Sequence, residues 1–185
     1  MKITVIGPGA IGLLLAGSLD SKNQVSVLTK PEAYEKLKQN GLWIKERNKK
    51  RKINAKIITE IDDSEIVIIA VKGYDLNTAV NLLHNFKGKV IICQNGLKML
   101  NLNLEHSNDI YAIVTSMGAI STNNGVTEFK GTGRTVLGSL NNVKKKRDEI
   151  LNIFSKNYFE ISHTNNIEKS IWLKACLLYT SPSPR

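Results

Sequence analysis

Met1-Lys2-Ile3-Thr4-Val5-Ile6-Gly7-Pro8-Gly9-Ala10-Ile11-Gly12 opens the chain and decides its architecture. Ile3, Val5 and Ile6 form a short apolar run with β-branched residues, the pattern of a buried strand. Gly7, Gly9 and Gly12 come next in G-x-G-x-x-G spacing, and Leu13, Leu14, Leu15 and Leu19 continue at helical intervals. Each glycine has its own task in a strand–turn–helix unit. The first makes the tight turn, the second lets a pyrophosphate reach the backbone, and the third lets helix and strand pack closely. The helix N-terminus adds unpaired N–H groups and a partial positive charge. The spacing alone would suit an ordinary glycine-rich turn. Its place between a strand and a helix points to dinucleotide binding.

At 185 residues the chain holds one domain, or one domain and part of another. Its 42% hydrophobic content is that of a soluble globular protein. No run approaches the roughly 18 apolar residues that span a bilayer, so no membrane partner is expected. Lys2 leads straight into strand and glycine loop, so no signal peptide is expected. Cys93 and Cys176 sit in apolar surroundings without metal-ligand spacing, which reads as reduced, buried thiols in a cytoplasmic protein that binds no metal. The net charge of +10 is concentrated in Lys49-Lys50-Arg51-Lys52 and Lys144-Lys145-Lys146-Arg147. The first run reads as a hairpin tip and the second as the opening of a helix. Neither is interleaved with aromatics that could stack bases, so both read as solvated faces and no nucleic-acid partner is expected.

Strand and helix signals alternate along the chain. Gln24–Leu28 reads as a second strand. Pro31 suits the first turn of a helix to Gln39, ended by Asn40-Gly41. Leu42–Lys45 and Ile53–Ile58 read as strands flanking the first basic run. Ile66–Val71 is continuously apolar, as in a central parallel strand covered on both faces. A helix over Leu76–Leu83 and strands over Lys89–Cys93 and Asp109–Val114 come next. Short strands then alternate with glycine at Ala119–Thr122, Val126–Phe129 and Thr135–Leu137. A helix over Lys145–Ser155, a strand near Tyr158–Ile161 and a last helix from Asn166 complete the pattern. The fold class is α/β, a Rossmann-like doubly wound sheet with an antiparallel addition.

Related folds that bind NAD carry an Asp or Glu near the end of strand two, where it accepts hydrogen bonds from ribose hydroxyls. Here that strand ends Val27-Leu28-Thr29-Lys30, with no carboxylate at its tip. A Lys30 ammonium would attract a 2′-phosphate and Thr29 would add a hydroxyl, which favours NADP(H). The plainer alternative is a surface lysine at a strand end.

Three later segments narrow the chemistry. Val71-Lys72-Gly73-Tyr74-Asp75 and Gln94-Asn95-Gly96 lie just after two strands of the sheet, where ligands of open α/β sheets bind, and Ile171-Trp172-Leu173-Lys174 places a lysine on the last helix. With Gly7-Pro8-Gly9-Ala10-Ile11-Gly12, Gly118-Ala119, Gly125-Val126 and the Gly131-x-Gly133 to Gly138 segment, their order and spacing resemble the N-terminal portion of the ketopantoate reductase family (2-dehydropantoate 2-reductases) over residues 1–175.

The resemblance implies an N-terminal NADPH domain followed by an all-helical domain, with a keto acid bound between them. It implies hydride transfer from NADPH to the ketone of 2-dehydropantoate, giving (R)-pantoate for pantothenate and coenzyme A synthesis. By position in the family pattern, Gly7, Pro8, Gly9, Ala10, Ile11 and Gly12 hold the pyrophosphate. Lys72, Asn95 and Ala119 line the cofactor, Lys30 reads the 2′-phosphate, and Lys174 donates the proton. An ammonium there stabilises and then protonates the oxygen on which charge develops. His84, His106 and His163 match no catalytic position, and Trp43 and Trp172 read as packing residues.

Departures from the pattern begin after Lys174. The family's asparagines four and eight residues on are replaced by Leu178 and Pro182, and two Ser-Pro pairs interrupt the helix. The expected organisation is therefore residues 1–164 as the NADP-binding domain and 165–185 as the first helix of a missing all-α domain, with the last ten or so residues non-native. Such a fragment would bind NADPH weakly or moderately and turn over the keto acid poorly or not at all. The full-length protein leaves room for a homodimer. A paralogous NADP-dependent 2-keto acid reductase and a non-catalytic NADP-binding module are the competing readings.

Overall fold

The computed structural model describes residues 1–102, 109–122, 124–141, 147–154, 158 and 160–180. The chain runs β1 (Lys2–Ile6), α1 (Ala10–Leu19), β2 (Gln24–Leu28), α2 (Pro31–Asn40), β3 (Trp43–Glu46), β4 (Lys49–Lys52), β5 (Ala55–Ile58), β6 (Ile66–Ile69), α3 (Leu76–Asn81) and β7 (Lys89–Ile92). A 3₁₀ turn at Lys98–Asn101 precedes β8 (Ile110–Thr115), β9 (Gly118–Ser121), β10 (Val126–Gly131), β11 (Thr135–Ser139), α4 (Arg147–Asn152), β12 (Ile161–His163) and α5 (Ile167–Thr180).

The main sheet has eight strands in the order β12-β11-β8-β7-β6-β1-β2-β5. β1 pairs in parallel with both β2 and β6, so the chain winds outward one way to β2 and then returns to wind the other way from β6. That reversal opens a crevice beyond Ile6 and Ile69. The Ile-Val-Ile-Ile run of β6 is buried throughout, as a parallel strand covered on both faces demands.

A second sheet, in the order β4-β3-β10-β9, lies on the far side of α1. Helix α1 is consequently sandwiched, and every residue from Gly12 to Leu19 is buried. Its sequence, apolar all round, reflects the lack of any face for water. The buried Thr127 hydroxyl of β10 donates to the Ala10 carbonyl at 3.0 Å and so fastens the second sheet to the first turn of the helix. At Gly17 an added Cβ would lie 2.3 Å from Ile44 Cδ1, which is why β3 can approach the helix so closely.

The structure corrects several sequence expectations. The basic run is strand β4 itself, and the hairpin turns instead at Arg47, with φ +51°, and Asn48. Arg51 is not a solvated charge. It donates to the 3%-exposed Asp20 carboxylate at 2.9 Å and to the Gly17 carbonyl, closing the C-terminal end of α1. The Asn54 backbone N–H donates to the same Asp20 carboxylate. The strand expected at Tyr158–Ile161 begins only at Ile161, where pairing with β11 becomes available.

Helix α5 continues to Thr180. It buries one stripe, Ile167, Ile171 and Ala175, and leaves Trp172, Leu173, Leu177 and Leu178 exposed. Trp172 is thus half-exposed rather than a packing residue, and Cys176 is exposed whereas Cys93 is buried. Lys144 to Lys146, His106 and Pro182 lie outside the described residues. No helix among the described residues is long and apolar enough to cross a membrane.

Arg51→Ala leaves the Asp20 carboxylate buried without its cation, so the expected cost is about 2 to 3 kcal/mol of stability. Urea denaturation of the variant and the parent chain measures it.

Candidate functional site

The site grows from the turn between β1 and α1. The Gly7 N–H donates to the Leu28 carbonyl at 3.1 Å, and its φ of +104° turns the chain away from the sheet. A Cβ on Gly7 would sit 2.9 Å from the Ala70 carbonyl oxygen, and one on Gly12 only 1.9 Å from the Gly7 carbonyl oxygen. Gly9 differs. It is the N-cap of α1, and a Cβ there would meet nothing within 4 Å. Space is left above the very residue whose neighbours present free amides, since the first N–H groups of a helix have no intrahelical partner. No acidic residue stands in the first turn to claim them.

A cavity of about 310 Å³ opens over this turn at the crevice of the main sheet. Gly9, Ala10 and Ile11 form one wall. Lys72 and Gly73 after β6, and Cys93, Gln94 and Asn95 after β7, form another. Lys174 of α5 closes it, together with Thr115 and Met117 at the end of β8. Glycine turn, two strand-end segments and helix lysine, far apart in sequence, therefore face one space.

Lys174 is half-buried, and its ammonium donates to the Thr115 carbonyl oxygen. Burial pulls its pKa below the ordinary 10.5, because few groups compensate the charge once water is removed. Beside it, burial pushes the Cys93 thiol up to about 12, so near neutrality it carries no negative charge with which to hold the ammonium. Gln94 is nine-tenths buried and its Oε1 lacks a hydrogen-bond partner. Lys72 is exposed, with Nζ 6.0 Å from the Tyr74 ring centroid.

Two candidate residues lie elsewhere. Ala119, on β9, packs against the core next to α1 and does not line the cavity. Lys30 stands at the end of β2, outside the cavity, in an ion pair with Asp75 at 3.1 Å. Sequence reasoning singles out neither Cys93, Gln94 nor Thr115 as individual site residues. For Gln94 a signal exists, its place next to Asn95. For the Thr115 carbonyl there is none, because it reaches Lys174 only through the packing of α5 on β8.

Comparison with known proteins gives the family. The family model of ketopantoate reductase PanE/ApbA matches residues 3–142. The 2-dehydropantoate 2-reductase of Pyrococcus horikoshii is 28% identical over 180 residues, covering 94% of this chain and 60% of the relative. The chain thus spans between 48% and 62% of the length of the curated relatives it matches. Among solved structures, a PanE/ApbA family ketopantoate reductase from Ralstonia eutropha superposes with a TM-score of 0.81 at 18% identity, over 94% of this chain and 60% of the other. A ternary structure of D-mandelate dehydrogenase with NADH and anilino(oxo)acetate gives 0.80 at 23% identity, over 96% and 61%. At these identities the structural likeness speaks for the fold. The match to the family model over most of the chain speaks for descent, and the chain belongs to the ketopantoate reductase PanE/ApbA family.

Proposed function

We propose that this chain supplies the cofactor-binding part of an NADPH-dependent reductase that converts 2-dehydropantoate to (R)-pantoate, a step toward pantothenate and coenzyme A. Residues 1–164 form the cofactor domain on this reading, and residues 165–185 begin the helical substrate domain. The observation that carries it is the single cavity onto which both the amide-rich turn at Gly9 and the half-buried Lys174 ammonium open. A cytoplasmic location accords with two free cysteines.

The residues present fit a dinucleotide. Open space over Gly9 and the unpaired amides of the first α1 turn suit a pyrophosphate, and no carboxylate stands in that turn. Gly7, Pro8, Gly9, Ala10, Ile11 and Gly12 would hold it, with Lys72 and Asn95 beside the nicotinamide half, Lys30 at the 2′-phosphate, and Ala119 assigned by its place in the family pattern. When bound, reduced nicotinamide supplies a hydride to the ketone carbon. Lys174 does the rest: its ammonium stabilises charge growing on the ketone oxygen and then delivers a proton to it. The Thr115 carbonyl holds Nζ in position, and removal from water strengthens its field.

Gly9→Ala should leave the melting temperature within a degree or two and weaken NADPH binding at least tenfold, whereas Gly12→Ala should destabilise by about 3 kcal/mol. Calorimetric titration and thermal melts separate the two. In the lysine NMR titration, the resonance lost in Lys174→Ala should titrate below 10.5. The ammonium is the proton-donating form, so keto-acid reduction by a protein containing it declines as pH rises through that midpoint. The 185-residue chain alone should bind NADPH and reduce 2-dehydropantoate poorly; rapid steady-state turnover would refute the domain division.

A further inference from the structure

The Lys30–Asp75 ion pair spans the crevice. Lys30 lies between β2 and α2, Asp75 precedes α3 on the chain leaving β6, and β1 lies between those strands. The two partners are not equally free. The Lys30 side chain is 69% exposed and the Asp75 side chain 29%. Asp75 is also anchored through its backbone, whose N–H donates to the Lys72 carbonyl at 2.9 Å and whose carbonyl accepts from Ala79 N–H at 3.0 Å. The less exposed carboxylate therefore holds the more exposed ammonium. The hydrogen bond from Lys30 to Asp75 keeps the lysine pKa above its ordinary 10.5, with smaller contributions from Glu32 and then Tyr74.

Resting on the proposed role of Lys30 at the adenosine end of the cofactor, we infer that Asp75 is a cofactor-discrimination residue whose carboxylate competes with a 2′-phosphate for the Lys30 ammonium. A phosphate monoester carries about −1.5 to −2 charges at neutral pH. To reach Lys30 it must draw the ammonium off Asp75 and then lie close to that carboxylate. A 2′-hydroxyl meets no such opposition. It can donate to Asp75, the part a strand-two carboxylate plays in NAD-binding folds. Asp75 thus narrows the margin by which NADPH is preferred over NADH.

The test is equilibrium binding of NADPH and NADH to the 185-residue chain, measured by titration calorimetry, with adenosine 2′-phosphate and adenosine 5′-phosphate as probes of that end alone. Exposed ion pairs shift equilibria by up to about fivefold, so Asp75→Asn should tighten NADPH about fivefold and leave NADH unchanged or weaker. Asp75→Ser should do the same, and adenosine 2′-phosphate should gain where adenosine 5′-phosphate does not. Lys30→Ala should move the ratio the other way. An unchanged NADPH-to-NADH ratio in Asp75→Asn, or equal weakening of both nucleotides, overturns the inference while leaving the proposed function standing. Binding of neither nucleotide to the parent chain removes both.

Discussion

Where β1 becomes α1, the Gly7 carbonyl oxygen lies so near the Cα of Gly12 that no side chain fits between them. That close approach sets the depth at which α1 rests on the sheet. It also decides where the free amides at the helix N-terminus point: over the crevice created by the reversal of strand order between β2 and β6. Because α1 is buried by a sheet on either side, its N-terminus is held from both directions, and the Thr127 hydroxyl ties down the Ala10 carbonyl directly. A turn proposed to hold a pyrophosphate serves better the less it must rearrange, and here packing on both sides of α1 holds it.

Much of the main sheet is legible in the sequence because its local signals are strong. β2 reads with its boundaries intact, α2 within a residue, and Gly41 ends α2 with φ +71°, as the Asn40-Gly41 pair suggests. The errors have a common cause. Lys49–Lys52 shows no alternation of apolar and polar residues, so nothing local marks it as a strand. It becomes one because β3 offers an edge and because Arg51 finds Asp20. β12 likewise takes its limits from the edge of β11, not from its own residues. Tertiary pairing decides both.

At the site, legibility tracks the backbone. Glycines impose a recognisable spacing, and segments that end parallel strands must lie on one side of the sheet, so Gly9, Lys72 and Asn95 can be placed near one another without coordinates. Contacts between side chains cannot. Lys30 and Asp75 are 45 positions apart, and nothing in either segment names the other as its partner. Whether a cysteine on a helix is buried depends on which stripe of that helix faces the sheet. Cys176 falls beside the Ile167–Ile171–Ala175 stripe, not on it.

The second sheet joins β3 to β10 in parallel, two segments from distant parts of the chain, and these are the strands that cover the outer side of α1. Such a contact forms only after a long loop closes, which slows the step. On the ribosome, the outer side of the first helix to emerge therefore lacks its β9 and β10 cover until residue 131 has been translated. For that interval the nascent chain presents an apolar surface that a chaperone can recognise.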